Sequence, residues 1–212
     1  EVARDGKLYR QEYKNGGLPV GPVKQVDKTN KRGTKITFYA DKTIFPNTTF
    51  DFTTIKNRMR QQAYLTKGIN IQIVEEVSND RYWFYFEGGI QSYIRYLNRN
   101  KEGVANVFYV DREVSEGQIE LALQYTQSYQ ELILTFANNI HTTEGGMHLT
   151  GFRAALTRTI NNYLREKSFL KEKDPNVTNE DVREGLTAII SVKLMNPQFE
   201  GQTKSKLGNA EM

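Results

Sequence analysis

A loop near the C-terminus contains the residues whose types and spacing best suit ligand chemistry. It covers residues 197–206 and reads PQFEGQTKSK, so Lys204 and Lys206 place two ammonium groups on one short turn. Gly201 allows the backbone to turn tightly, and Gln202 and Thr203 add neutral hydrogen-bonding groups. A loop of this composition can hold an anion such as a terminal phosphate, with lysine acting as a point charge. The same composition is also typical of a solvent-exposed lysine turn.

Length and composition narrow the possible chemistry. With 212 residues, the chain can bury a real core and could hold one large domain or two small ones. It contains no cysteine, which excludes disulfides, thiolate catalysis and cysteine-based zinc sites. Its two histidines, His141 and His148, argue against a histidine-rich metal centre, since their spacing across a Gly-Gly turn matches no metal motif. The net charge of +4 permits contact with nucleic acid without requiring it.

The first 88 residues predict a β-rich segment. A hairpin joins Val2–Arg4 to residues 8–13 across an Asp-Gly turn. Alternation over Thr34–Tyr39 predicts a half-buried strand. A helix from about Asp51 to Gly68 precedes a second hairpin, which pairs residues 69–74 with 82–86 and has Trp83 in the core. Two glycines follow Glu87, which makes residues 87–89 the best candidate for a domain boundary.

The rest of the chain mixes helices and strands. Residues 90–97 predict a helix with one apolar face, and strands are expected near residues 106–112, 118–126 and 129–138. A glycine-rich loop then leads to a long helix over Gly151–Lys167. Thr178 is expected to cap a short helix ending at Glu184, and the apolar run from Leu186 to Met195 predicts a strand that leads to the lysine loop. The order of elements predicts an α+β or α/β fold in which a helix crosses a small sheet.

Several stretches resemble, in order and across nearly the whole chain, the ATPase region of the B subunits of bacterial type IIA topoisomerases. The resemblance is nearest to the DNA gyrase B family and rests on the Gly33-Thr34 pair, FEGGI at 86–90, ALQY at 122–125, FANNI at 136–140, EGGMHLTGFR at 144–153, DVREGLTA at 181–188 and PQFEGQTKSKLGN at 197–209. Each stretch alone is weak, whereas their ordered combination is specific.

The resemblance implies an α+β fold with two parts. Residues 1–88 would be the C-terminal portion of an ATP-binding domain of the gyrase, Hsp90, histidine-kinase and MutL type. Residues 89–212 would be a transducer domain that ends in the QTK loop and contains a left-handed βαβ crossover, an exception to the usual right-handed rule. The family's catalytic glutamate, its magnesium-binding asparagine and its glycine-rich lid would then lie upstream of Glu1. We therefore expect no ATPase activity from this chain alone.

The resemblance also assigns roles to individual residues. Lys204 would contact the γ-phosphate of ATP with help from Gln202, whereas Lys206 is more typical of a surface charge. Gly33 and Thr34 would help to bind adenine, and Arg4 would lie at the rim of the ATP site. Arg153 would face the cavity that receives DNA, with a helix-covering role as the alternative. His148 and the Asp181–Glu184 cluster are expected to be structural.

The same resemblance implies partners and a compartment. They are ATP with Mg²⁺, a transported DNA duplex bound without sequence preference, the gyrase A protein, and a second copy of the B protein upon ATP binding, all in the cytoplasm and away from membranes. Three alternatives remain open at this point: the B protein of a topoisomerase IV, a stand-alone DNA-binding module without enzymatic activity, and a small phosphate-binding enzyme. The lack of a Walker motif or a plausible base disfavours the last.

Overall fold

The computed structural model describes residues 1–210, which form two compact units divided between Asp51 and Phe52. The first unit is a four-stranded sheet of order β5-β2-β1-β6 with a small hairpin, β3-β4. Its strands are β1 (Val2–Arg4), β2 (Lys7–Arg10), β3 (Tyr13–Lys14), β4 (Leu18–Pro19), β5 (Lys24–Lys28) and β6 (Gly33–Thr34). The predicted hairpin is confirmed, since β1 and β2 pair antiparallel on either side of Asp5 and Gly6.

The predicted strand over Thr34–Tyr39 is wrong beyond its first residue. Only Gly33 and Thr34 pair with β1, and the chain from Lys35 to Ala40 has no regular structure. The apolar side chains of that segment are open to solvent, with Ile36 82% and Tyr39 94% exposed. Alternating polar and apolar residues form a strand only where a neighbouring strand pairs with them and a core covers their apolar side chains. The described first unit provides neither for residues 35–40.

The second unit is built from four helices, a five-stranded sheet and two separate two-stranded ribbons. Its helices are α1 (Phe52–Leu65), α2 (Gly89–Leu97), α3 (Met147–Glu166) and α4 (Asn179–Arg183). Its strands are β7 (Ile71–Glu75), β8 (Asp80–Phe84), β9 (Phe108–Val114), β10 (Gly117–Tyr125), β11 (Leu132–Ala137), β12 (Ile140–His141), β13 (Leu186–Leu194), β14 (Phe199–Glu200) and β15 (Lys206–Leu207). No helix within residues 1–210 has the length and apolar character needed to cross a bilayer.

Strand β13 lies at the centre of the five-stranded sheet, whose order is β12-β11-β13-β10-β9. It pairs antiparallel with β10 over nine residues and parallel with β11 over six. Because β11 and β13 run in the same direction, the chain between them must cross over, and α3 makes that crossing. Nearly every residue of β13 is buried, as expected of a strand covered on both faces. The left-handed sense of the crossover stays a prediction.

Two separate cores cover the two faces of this sheet. On one face, Ile90 and Ile94 of α2 pack with Tyr64 of α1 and with Phe136 and Ile189 of the sheet. On the other face, Ile190, Val192 and Leu194 pack with Leu207, and Leu149 and Phe152 of α3 cover them. The odd and even residues of β13 thus face opposite cores, so α2 and α3 are held on opposite sides.

Two details differ from the sequence-based expectations. Helix α3 begins at Met147 rather than Gly151, because buried His148 and neighbouring Leu149 continue its apolar face and packing outweighs the weak helix propensity of glycine.

Trp83 is 65% exposed rather than in the core, and its indole N–H donates to Asn70 Oδ1 at 2.7 Å. The face of the β7-β8 ribbon opposite Trp83 is the packed one, and it carries the buried side chain of Phe84. The cap predicted at Thr178 of α4 is confirmed, and the structure shows that Thr178 and Asp181 form a capping box.

Tyr64 of α1 packs between Phe86, which precedes α2, and Tyr93 of α2, with ring-centroid distances of 3.7 and 4.6 Å. This stack joins residues 52–88 to the helices and sheet that follow within one compact unit. The functional division near residue 88, predicted from the resemblance, stays a prediction.

Candidate functional site

The lysine loop is the turn of a short β-hairpin. Strands β14 and β15 pair Phe199 with Leu207 and Glu200 with Lys206, which leaves residues 201–205 as the loop. Gly201 has φ +77° and Lys204 has φ +56°, so the backbone turns through two left-handed positions. A non-glycine residue in that region is uncommon and is kept there only by its surroundings. The turn is closed by a hydrogen bond from Lys204 N–H to Gly201 C=O of 3.3 Å.

The loop is attached to the turn that precedes helix α3. Leu207 N–H donates to Gly145 C=O at 3.0 Å, and Glu144 N–H donates to Ser205 C=O at 2.9 Å. The Ser205 hydroxyl also donates to the Glu144 carboxylate at 2.7 Å. Leu207 is fully buried, so this attachment is part of the core. Any displacement of the loop is therefore coupled to the start of α3.

A second set of contacts fixes the base of the hairpin. Asn209 is 2% exposed, and its side chain accepts from Gln198 N–H at 2.7 Å and donates to Asn196 C=O at 3.2 Å. Gly208 N–H donates to Gln198 C=O at 2.8 Å. Because Asn209 satisfies backbone groups on the incoming chain, the hairpin is held at both ends and only its tip is exposed.

The two lysines of the loop differ in their surroundings. The Lys206 ammonium lies 3.0 Å from the Glu200 carboxylate. Lys204 is exposed and has no ion pair among the described residues; its ammonium lies 5.7 Å from the centroid of the Phe199 ring. Gln202 is also exposed, at the same tip. Lys204 is therefore the cation of this loop that is available to an incoming anion.

The three predicted nucleotide-binding residues of the first unit lie at one corner of its sheet. Gly33 pairs with Ala3, which neighbours Arg4 in β1, and Thr34 pairs with Val2 of the same strand. All three residues are exposed, and the Arg4 guanidinium lies 3.3 Å from the Asp5 carboxylate. The structure thus brings Arg4, Gly33 and Thr34 together within the first unit, whereas Gln202 and Lys204 belong to the second.

Arg153 lies in the second turn of α3 and takes part in an ion-pair cluster. Its guanidinium donates to Glu131 Oε1 at 2.7 Å, and Arg183 binds the other carboxylate oxygen of the same residue. These three side chains are each between 17% and 35% exposed. Glu131 thus neutralises part of the charge that Arg153 was expected to offer to DNA. We call Glu131, Arg153 and Arg183 the carboxylate-centred arginine pair.

The two histidines are packed, and within residues 1–210 no group of three or more acidic or histidine side chains could hold a metal. His148 is 4% exposed, and its Nε2 lies 3.1 Å from the Thr142 hydroxyl. Burial lowers the pKa of His148 to about 4. Burial, together with the charge of Arg58, also lowers the pKa of His141. Both effects keep the imidazoles neutral near pH 7, which fits the structural role predicted for His148.

Sequence reasoning missed the residues that hold the site together. Glu131 was not singled out, although its partners Arg153 and Arg183 were. Glu144 and Asn209 stood out only as parts of the family motifs, yet their side chains bind the loop at either end. The Gly145-Gly146 pair was the one available signal, because two adjacent glycines often mark a close backbone approach.

Comparisons with known proteins agree on one family. The DNA gyrase B family matches residues 89–212. The chain is 48% identical to the gyrase B protein of Clostridium acetobutylicum over its whole length, and spans about 33% of that relative. Its fold is similar to the crystal structure of the 43K ATPase domain of Thermus thermophilus gyrase B in complex with an aminocoumarin, with a TM-score of 0.83 and 37% identity over 99% of this chain and 57% of that one.

A further similar structure is the ATP-binding domain of topoisomerase IV from Francisella tularensis, in complex with a small-molecule inhibitor. The TM-score is 0.80 with 28% identity, over 98% of this chain and 57% of that one. The family match and the 48% identical relative are both gyrase B, which favours gyrase over topoisomerase IV. By its sequence motifs, its fold and these matches, the chain belongs to the DNA gyrase B family.

Proposed function

We propose that this chain is the nucleotide-sensing and transducing part of an ATP-dependent type IIA topoisomerase of the gyrase type. In this role Lys204 and Gln202 bind the γ-phosphate of ATP, and the contact is lost after hydrolysis. A contact that exists in only one nucleotide state can bias a two-state equilibrium. The loop would thus report whether ATP is bound.

The proposal rests on one observation: an exposed cation stands at the tip of a hairpin whose base is buried in the core. Lys204 has no ion pair among the described residues and stands at the tip of the hairpin, while Leu207 at its base is fully buried against Gly145 and Gly146. Movement of Lys204 toward a phosphate would pull on the hairpin and, through it, on the start of α3.

We further propose that the first unit contributes to the nucleotide site through Gly33, Thr34 and Arg4. Their exposure at one sheet corner leaves them available to adenine and its surroundings. Mg²⁺ would accompany the bound nucleotide, held by the magnesium-binding asparagine that the family resemblance implies. Such an ion would neutralise charge on the phosphates while Lys204 stabilises charge that develops at the γ-phosphoryl group.

The proposed partners are DNA, the gyrase A protein and a second copy of the B protein that joins when ATP binds. Arg153 would contact the phosphates of a transported duplex, in a sequence-independent and salt-sensitive manner. Such a protein would work in the cytoplasm. Gyrase is favoured over topoisomerase IV by the match to the DNA gyrase B family, while the direction of supercoiling would be set by the gyrase A protein.

The test uses the full-length gyrase B protein that carries this chain, with Lys204→Ala compared with Lys206→Ala. Removing one group that stabilises a transition-state charge typically lowers kcat by about 100- to 1,000-fold. We expect a loss of that size for Lys204→Ala and less than about threefold for Lys206→Ala, whose charge is already paired with Glu200. Thermal unfolding controls for folding, and near-normal ATP turnover in Lys204→Ala would reject the proposed role.

A further inference from the structure

Two cations of α1 lie over aromatic rings of neighbouring elements. The Lys56 ammonium lies 4.4 Å from the centroid of the Tyr82 ring in β8. One helical turn later, the Arg60 guanidinium lies 5.4 Å from the Phe84 ring of the same strand and 5.3 Å from the Tyr96 ring of α2. A cation within about 6 Å of a ring centroid is attracted to the electronegative face of the ring. These contacts therefore restrain both cations at the surface of the second unit.

A third cation extends this arrangement beyond α2. The Arg99 guanidinium lies 4.4 Å from the Tyr96 ring, so Arg60 and Arg99 both contact one ring and place two like charges near each other. The rings of Tyr82 and Phe84 are also neighbours, with centroids 6.5 Å apart. The contacts are therefore continuous across α1, β8 and α2. We call the residues that make them the cation–aromatic row: Lys56, Tyr82, Phe84, Arg60, Tyr96 and Arg99.

The partners of the arginines in this row are neutral. Arg60 donates to the Tyr96 hydroxyl at 2.7 Å, and Arg99 donates to Tyr96 C=O at 2.9 Å. None of the side-chain ion pairs within residues 1–210 involves a cation of the row. Arg153, in contrast, is bound by Glu131 on the α3 side of the sheet. The row thus presents positive charge without a neutralising carboxylate on the side that α1 and α2 cover.

We propose that the cation–aromatic row binds the phosphate backbone of duplex DNA, as a contact surface separate from Arg153. Closely spaced cations gain most from a polyanion, because each neutralised phosphate releases counterions. Unstacked bases would need exposed ring faces, and an acidic protein would need an apolar anchor. The row offers neither, since Phe84 is buried and Tyr82 and Tyr96 are half-buried with cations over their faces. Contacts to phosphates alone would carry no sequence preference.

Fluorescence anisotropy of this chain with a labelled duplex, over a series of salt concentrations, tests the proposal without involving ATP turnover or Lys204. Arg60→Gln and Arg99→Gln should each make the slope of log K against log salt less steep by about one. Each should also weaken binding about tenfold at about 50 mM salt, because one phosphate contact is lost.

Arg112→Gln is the control that removes the same charge elsewhere. Arg112 is exposed and pairs across the sheet with Ile119, whose side chain packs on the α3 side. It should leave the slope nearly unchanged. Equal changes in Arg99→Gln and Arg112→Gln would mean that net charge alone governs binding, and would overturn the proposal.

Two further comparisons separate charge from structure and DNA from an acidic protein. Arg99→Lys keeps the charge and should keep the slope of the native chain, whereas a loss as large as in Arg99→Gln would contradict a phosphate contact. A labelled polyglutamate peptide should bind more weakly than the duplex at equal salt. Tighter binding of the peptide, lost in the same variants, would assign the row to an acidic protein instead. Thermal unfolding checks each variant, and exposed Arg99 decides the matter alone should Arg60→Gln not fold.

Discussion

The backbones of Gly146 and Leu207 approach so closely that no side chain fits between them. A Cβ built on Gly146 would stand 2.6 Å from the Leu207 nitrogen, and Gly146 has φ +133°, where other residues are strained. The two residues also form an isolated parallel bridge. This contact joins the lysine hairpin to the residue that immediately precedes α3.

Gly146→Ala is therefore expected to separate the hairpin from α3. The unfolding free energy should fall by about 2–4 kcal/mol, because steric overlap with backbone is added to strain at positive φ. Gly208→Ala is the matched control, since a Cβ there meets its nearest neighbour at 3.6 Å, an ordinary contact. Urea denaturation of both variants provides the measurement. A change below about 0.5 kcal/mol in Gly146→Ala would contradict the tight approach.

The carboxylate-centred arginine pair predicts an effect on DNA binding. Glu131→Gln removes the charge that Arg153 and Arg183 share, so both guanidinium groups become available to phosphates. Duplex affinity should rise, and the slope of log K against log salt should steepen by about one to two. The partial burial of the cluster predicts a simultaneous loss of roughly 1–2 kcal/mol in stability.

Fluorescence anisotropy with a duplex of arbitrary sequence, repeated over a salt series, measures this change. Glu166→Gln is the control, because it makes the same change in net charge at an exposed pair with the neighbouring Lys167. Equal gains in affinity for the two variants would mean that net charge alone, rather than release of Arg153 and Arg183, explains the result.

The buried imidazole of His148 predicts a loss of stability in acid. Its pKa is about 4 in the folded chain, below the ordinary value of 6.5. Between these pH values the unfolded chain binds a proton that the folded chain does not, so the unfolding free energy decreases as the pH falls. The full effect is roughly 3 kcal/mol, and above about pH 6.5 it vanishes.

Urea denaturation between about pH 7 and pH 4.5, for the native chain and for His148→Phe, isolates this contribution. The native chain should lose more stability than the variant over this range, because phenylalanine has no proton to bind. Parallel pH profiles for the two proteins would show that His148 does not remain neutral in the folded state.

The buried hydrogen bond of Thr187 allows a prediction of how much stability is lost when a buried polar group is left without its partner. Its hydroxyl donates to Asn98 Oδ1 at 2.8 Å, and both residues are buried between α2 and the sheet. Thr187→Val keeps the shape but leaves the Asn98 oxygen without this donor, which should cost about 1–3 kcal/mol. Thr143→Val, at an exposed position, should change the unfolding free energy by less than about 0.5 kcal/mol. Similar values for both variants in urea denaturation would contradict the prediction.

Elements with strong periodicity or specific end signals were predictable from the sequence. The β1-β2 hairpin, α1, α2, α4 with its capping box and the buried strand β13 all follow from local patterns. The family resemblance rests on motifs spread over the same chain, and the match to the DNA gyrase B family confirms it. These features are local because turn chemistry, capping and burial periodicity act within a few residues.

Other features depend on which residues meet in three dimensions. The alternating run after Thr34 lacks a neighbouring strand, Trp83 faces away from the core, and packing moves the start of α3 to Met147. Similarly, Glu131 meets Arg153 and Arg183 only after the sheet and helices assemble. The sequence by itself determined the family, the element types and the exposed lysine loop. The tertiary structure decided which charges are paired, which backbones touch and which cations lie over aromatic rings, because each depends on contacts between distant parts of the chain.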